Sequence, residues 1–242
     1  MEIALTIFLL TTLGSLAGLI GGILFLYNQT LGKVLSTGAI PFATGVLLAV
    51  TFLDLLPEAL QGLGAGVFPI VLVVLLSAFL FEEIIAHLHH HSDEDELENS
   101  LPLVVVGDTI HNFMDGVVIA ASYLFNPSLG AIVAIATFLH EVPHEIGDFG
   151  LMTKAGWSKT RVITTNLISA CATYLGALSV LIFSSSVEKN LSVLLAVSGG
   201  LFLYIGASDL LPRVHQGRQS TLKKAALLLC GVGLIWIVGI IG

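Results

Sequence analysis

The sequence predicts an all-α integral membrane protein, and three observations carry that prediction. Hydrophobic residues make up 55% of the 242-residue chain and charged residues 11%, at a mean hydropathy of +0.97, against roughly 25% charged residues in soluble domains. Apolar runs long enough to cross a bilayer core of about 30 Å, roughly 20 residues each, recur eight times between Gly, Pro, Asn and Ser punctuation. A motif in the second run, Gly45 to Glu58, returns in the seventh at Gly200 to Arg213.

The runs cover about 3–27, 38–60, 66–88, 101–125, 129–153, 161–184, 191–211 and 222–241. The longest connection, 89–100, is too short to fold alone, so residues 1–242 are expected to form a single transmembrane domain with a His- and acid-rich loop at 87–100. The first run has Glu2 and no Lys or Arg before it, and no small-x-small cleavage site follows, so it reads as a retained helix. Short cytoplasmic loops keep Lys and Arg. With both termini outside, the inner loops hold Lys33, then Lys154, Lys159 and Arg161, then Arg213, Arg218, Lys223 and Lys224, leaving only Lys189 outside. The loop 87–100 is then cytoplasmic, and the expected location is the cell membrane.

The repeated text is GVLLAVTFLDLLPE against GLFLYIGASDLLPR, offset by 155 residues. The copies lie five helices apart, an odd number, so they run in opposite directions. That pattern marks an inverted repeat of helices 1–3 and 6–8 around a central helix 4/5 hairpin, which places a site near the midplane. The alternative is two helices that merely share Asp-Leu-Leu-Pro.

Charge narrows the partners. Seventeen Asp and Glu against nine Lys and Arg give net charge −8, with no basic tract to neutralise a row of phosphates, so nucleic acid is not expected. Membrane lipid is. Cys171 and Cys230 lie far apart in apolar runs without CxxC spacing.

Ionisable groups inside the hydrocarbon are costly and mark a pathway or relay. On the fourth helix Asp108, His111, Asn112 and Asp115 follow the i, i+3, i+4, i+7 pattern of one face, and on the fifth His140, Glu141, His144, Glu145 and Asp148 do the same. The link Asn126-Pro127-Ser128 makes the two helices an antiparallel hairpin. Counted from the inner ends at 1.5 Å per residue, His111 matches His144 and Asp115 matches His140, at a depth of roughly 15 to 20 Å. Two histidines and carboxylates on facing helices are how bundles build a metal site. No Lys or Arg lies at that depth on either helix to pair the acids, so a divalent cation accounts for the charge better than an ion-pair network.

Pro143 falls inside the fifth-helix cluster, where it frees the carbonyl of Leu139. Pro57 and Pro212 repeat the device beside Asp54 with Glu58, towards the outside, and Asp209 with His215, towards the cytoplasm, as two vestibules of an ion path would require. His87, His89, His90 and His91, followed by a run of acids, read either as a metal-collecting tract or as a solvated loop. Gly14, Gly18 and Gly22 form a small-residue stripe that serves close helix packing.

At HNFMDG (111–116) and HEVPHEIGD (140–148) the sequence resembles the ZIP (Zrt/Irt-like) family of divalent metal transporters, in particular the branch whose fifth helix carries HExPHE. The eight runs, the outside termini and the histidine-bearing loop agree with that family. The resemblance implies that His111, Asp115, His140 and His144 hold one metal, and that Asn112, Asp115, Glu141 and His144 border a second. Family members add a sixth-helix group to the second site. Here that helix has no acid, and Asn166 or Ser169 stands nearest. The chain is also expected to lack the extracellular domain of larger relatives.

The function so implied is transport of a divalent transition metal into the cytoplasm through a His/Asp/Glu site between helices 4 and 5. Zn2+ is the first candidate, with Fe2+, Mn2+ and Cd2+ also suiting mixed imidazole and carboxylate ligands. Monomer and homodimer both stay open. Two other readings use the same residues. His140 to His144 is literally HExxH, the zinc protease pattern, although Pro143 bends the turn that should hold both histidines. A membrane metal sensor without flux would need the same ligands and the histidine loop.

Overall fold

The computed structural model describes residues 2–89, 96–183, 190–217 and 219–241, with side chains described outside 85–100 and 241. Within them the chain is helical almost throughout. The elements are α1 (Glu2–Gly14), α2 (Leu19–Tyr27), α3 (Gln29–Ala49), a π-helical segment (Val50–Leu55), α4 (Leu56–Leu63), a 3₁₀ turn (Gly64–Gly66), α5 (Val67–His89), α6 (Glu96–Phe125) and α7 (Pro127–Lys154). They continue with α8 (Lys159–Ala170), α9 (Ala172–Ile182), α10 (Leu191–Tyr204), a second π-helical segment (Ile205–Leu210), α11 (Leu211–Gln216) and α12 (Thr221–Ile241).

Seven helical stretches among the described residues are long and apolar enough to cross a membrane, where eight runs are legible in the sequence. The difference lies in Gln29–Ile84, a continuous stretch of 56 residues. Its helical path carries on through the 3₁₀ turn at Gly64, whose φ of 52° and ψ of −140° break the α geometry. Positive φ is costly for any residue with a Cβ. The stretch also starts earlier than the apolar pattern suggests. The Asn28 side chain accepts a hydrogen bond from the Leu31 N–H and caps α3 at Gln29, so the polar segment around Lys33 is already helix.

Two runs are interrupted. The first breaks into α1 and α2 across Ser15–Gly18, and the sixth into α8 and α9 at Cys171. The two π segments share one cause. A proline ring clashes with the carbonyl four residues back, and widening the turn removes that clash. In each case the residue before the proline bonds five back: Leu56 N–H to the Thr51 carbonyl before Pro57, and Leu211 N–H to the Gly206 carbonyl before Pro212. The two segments are 155 residues apart, the offset of the repeated text.

α7 is the centre. Two thirds (67%) of its most apolar stretch is buried, against 11% for Gln29–Ile84 and for α12. Around it stand α1, α2, α3, α6 and α8. α6 packs along α9, α12 along α3, and α10 along α5 and α4. The outer helices turn Phe8, Phe68, Leu72, Leu76, Leu222 and Trp236 outward, the surface that a lipid environment accepts and water does not. Lys189, Arg218, His90 and His91 lie outside the described residues, as do the side chains of His87 and His89.

Candidate metal centre

Asn126 fixes the hairpin that carries the polar faces. Its side chain accepts from the N–H groups of Ser128 and Leu129 at 2.8 and 3.4 Å, with Pro127 preset for the first turn of α7. α6 is then held against α9 at backbone contact. A Cβ on Gly116 would meet the Thr173 carbonyl, and one on Gly176 the Phe113 carbonyl. On the other side the break between α1 and α2 presses into α7, since a Cβ on Gly18 would lie 2.6 Å from the Cβ of Glu141. The polar faces of α6 and α7 are thus clamped from both flanks.

His111, Asp115, His140 and Glu141 form one cluster, each offering a ligand atom within 4.8 Å of the others. His111 Nε2 lies 3.2 Å from His140 Nε2 and 3.0 Å from Glu141 Oε1. Asp115 Oδ2 is 3.4 Å from His140 Nε2 and 3.7 Å from His111 Nε2, and Glu141 Oε1 is 3.4 Å from His140 Nε2. His140 and Glu141 are 1% and 0% exposed. The tautomer of His140 follows from its other nitrogen. Nδ1 donates to the Ala136 carbonyl at 3.2 Å, so in the neutral ring Nε2 carries a lone pair. That lone pair faces two carboxylate oxygens and the Nε2 of His111, which as the one donor in reach can serve Glu141 or His140 but leaves Asp115 Oδ2 and Glu141 Oε2 without partners, a shortage of donors that a bound cation would relieve. The separations, 3.0 to 3.7 Å, bracket the edges of a tetrahedral coordination shell, about 3.3 to 3.6 Å for metal–ligand bonds of roughly 2.0 to 2.2 Å.

A second group lies one turn away on both helices, made of Asp108, His144 and Asp148. His144 therefore stands apart from the cluster of His111 and His140, although its ring stacks on His111 at 5.0 Å between centroids and 22°. Asn112 is held elsewhere. Its Oδ1 accepts from Ser15 Oγ at 3.3 Å and Thr173 Oγ1 at 3.2 Å, while Nδ2 donates to the carbonyl and Oδ1 of Asp108 at 3.1 and 3.0 Å. Ser15 and Thr173 escape a reading of the sequence, where the only signal is a hydroxyl in the middle of an apolar run. Both sit beside a helix break, and Ser15 also donates to the Ala170 carbonyl at 3.0 Å.

The remaining candidates scatter. Glu145 is 1% exposed and neither of its oxygens has a hydrogen-bond partner. Asn166 donates to Met152 Sδ and the Val162 carbonyl, and Ser169 pairs with Thr109 at 3.1 Å. Asp54 is half-buried with Oδ2 unpartnered, and Glu58 accepts from Gln61 at 2.7 Å. Asp209 pairs with Arg213 at 2.7 Å, while His215 is exposed. Among the described residues this is the one ion pair between an arginine or lysine and a carboxylate, so none reaches the hairpin acids.

Residues 86–239, more than half of the chain, match the family profile described as ZIP Zinc transporter. The chain belongs to the ZIP family. It is 32% identical over 153 residues to the zinc transporter foi of Drosophila melanogaster, covering 62% of this chain and 22% of that protein. It is 37% identical over 131 residues to human zinc transporter ZIP10, covering 53% and 16%, and 33% identical over 127 residues to the human metal cation symporter ZIP14, covering 52% and 25%. The chain thus spans about a quarter or less of the length of these relatives. Both signatures of the hairpin, 111–116 and 140–148, fall within the matched region. With seven stretches long and apolar enough to cross a membrane among the described residues, this ZIP chain is a multi-pass membrane protein.

Proposed function

We propose that the chain carries a divalent transition metal, zinc before Fe2+, Mn2+ or Cd2+, across the membrane into the cytoplasm through the cluster of His111, Asp115, His140 and Glu141. The observation that carries this reading is the buried convergence of two imidazoles and two carboxylates around His140 Nε2, with Asp115 Oδ2 and Glu141 Oε2 left without hydrogen-bond partners and no arginine or lysine ion-paired to them. The relatives' names, zinc transporters and a metal cation symporter, point the same way. Asn112 borders the site as an orienting group for Asp108, and His144, Asp148 and Glu145 continue the polar path along α7.

Eight crossings complete the proposal. At 1.5 Å per residue a 56-residue helix is about 84 Å long, nearly three bilayer cores. We therefore read Gln29–Ile84 as two crossings that turn at Gly64, as the packing of α10 against both α4 and α5 supports. An inverted repeat of crossings 1–3 and 6–8 is supported by the two π segments at the repeat offset and by paired packing: the second crossing on the eighth, the seventh on the third. Termini outside and an assembly of one or two copies belong to the same proposal.

The protease alternative needs His140 and His144 on one zinc ion. Here they face different groups, His140 towards Asp115 and His144 towards Asp108 and Asp148, and the family to which the chain belongs is one of transporters, not enzymes. The test is Zn2+ flux into proteoliposomes loaded with a fluorescent chelator. Saturable uptake that His140→Ala removes supports the proposal. Zinc bound stoichiometrically but not moved would favour a sensor instead.

A further inference from the structure

Four of the chain's nine lysines and arginines, Arg213, Arg218, Lys223 and Lys224, fall in the stretch 213–224, which contains no acid. The retention of cations in an inner loop accounts for their sign, but not for the convergence of two of them on one cavity. Arg213 and Lys224 line a cavity of about 230 Å³ between α3, α11 and α12, together with Ser36 and the apolar Ile40, Pro41 and Val214. We propose that this cavity holds the phosphate headgroup of an anionic phospholipid, in the cytoplasmic leaflet on the orientation given above. The proposal depends on that orientation only for the leaflet, and it does not depend on metal transport.

The walls are tied in place. Pro41 has no N–H to give to the Thr37 carbonyl four residues back, and that carbonyl accepts instead from Gln219 Nε2 at 3.1 Å. Lys224 Nζ donates to the His215 carbonyl at 3.0 Å, and its stem passes Gly217, where a Cβ would lie 3.6 Å from Lys224 Cε. Arg213 Nη2 bonds Asp209 Oδ1 at 2.7 Å. The link between α11 and α12 is thus fastened to α3 and to α11, so the cavity is formed before any ligand arrives and its cations lose little freedom on binding.

Both cations keep donors to offer. An ammonium carries three N–H groups and a guanidinium five, and the bonds just described use part of each set. Asp209 offsets one of the two charges, and among the described residues no acid pairs with Lys224. Lys223 and Lys224 also stand in the first turn of α12, where the helix dipole disfavours cations, a cost that a bound anion offsets. Phosphate suits such a pair, since guanidinium takes it through parallel N–H···O bonds and ammonium as a point charge. The volume is below the roughly 300 Å³ at which pockets for drug-sized ligands begin, so it fits a headgroup. Its apolar wall favours the glycerol and first methylenes of a lipid over a free ion. A basic pocket between transmembrane helices at the cytoplasmic face is the general form of an anionic-lipid site.

The test titrates the purified full chain in detergent with short-chain phosphatidylglycerol, short-chain phosphatidylcholine or inorganic phosphate, reading bound lipid by native mass spectrometry and folding by the thermal midpoint. Phosphatidylglycerol is expected to add as one tightly held molecule and to raise the midpoint. Phosphatidylcholine should bind about fivefold more weakly, and inorganic phosphate at the same concentration should do nothing. Lys224→Gln should weaken phosphatidylglycerol about fivefold, the effect of one basic residue at an anionic surface, and Lys224→Arg should restore it. Ser36→Leu fills the cavity with every charge in place and should weaken binding as much, whereas Lys154→Gln removes a cation outside the cavity and should not. Equal losses in Lys154→Gln and Lys224→Gln, equal binding of the two lipids, or wild-type binding in Ser36→Leu would overturn the site. Stabilisation by inorganic phosphate to the same degree would overturn the lipid in favour of a soluble anion.

Discussion

His140 is the residue on which the site turns. Its Nδ1 is committed to the Ala136 carbonyl, so in the proposed site Nε2 can take either a metal or a proton, never both. Uptake is therefore expected to fall as the pH drops from 7.5 to 5.5, as protons compete with the metal for imidazole nitrogen. A flat profile measured in chelator-loaded proteoliposomes would count against imidazole ligation. Thr173 tests the outer shell. Thr173→Val keeps the shape and deletes the hydroxyl that holds Asn112, and it should weaken metal binding by about tenfold or more, within the range known for outer-shell changes. An unchanged dissociation constant would remove Asn112 and its donors from the site. Spacing along two helices was enough to nominate His111, Asp115, His140, Glu141 and His144. Their grouping was not legible, because residues at i and i+4 share a face whichever way their side chains turn. The rotamer of His144, directed at Asp108 and Asp148, divides the polar strip into two groups.

At the scale of elements, the polar faces meet only because small residues let the helices touch. Gly116 and Gly176 each put a missing Cβ against the other helix's backbone, a contact that cannot yield by side-chain rotation. Gly116→Val should force α6 and α9 apart at a cost of about 1 to 3 kcal/mol, seen as a lower thermal midpoint in detergent, with Asp115 drawn off the cluster next door. A wild-type midpoint would show that this crossing is looser than the structure has it. The α6/α7 hairpin was legible from Asn126-Pro127-Ser128, since a capping side chain and a proline act locally. The breaks at 15–18 and 171 and the two π segments were not, because they answer to packing and to a proline clash four residues away. The helical residues 29–37 escaped because a polar segment gives no apolar period, although the Asn28 cap announces them.

Over the whole molecule, charge and packing together support the proposed path. Residues of the central α7 pack against α1, α2, α3, α6 and α8, and among the described residues no lysine or arginine forms an ion pair with the carboxylates along it. Composition alone was enough to place the chain in a membrane, whereas the number of crossings depends on the single turn at Gly64. Cysteines at Lys33 and Ala65, in a background with Cys171 and Cys230 replaced by serine, check this. A membrane-impermeant maleimide should label Ala65→Cys from outside and Lys33→Cys only after permeabilisation. Labelling of both from one side would contradict two crossings. The claim at the centre is that the moving ion touches His140, and ligand exchange tests it without relying on loss of function. A thiolate favours softer metals, so His140→Cys in proteoliposomes should raise Cd2+ uptake relative to Zn2+ uptake well above the wild-type ratio. Both ions carried at the wild-type ratio would mean that the path does not pass His140.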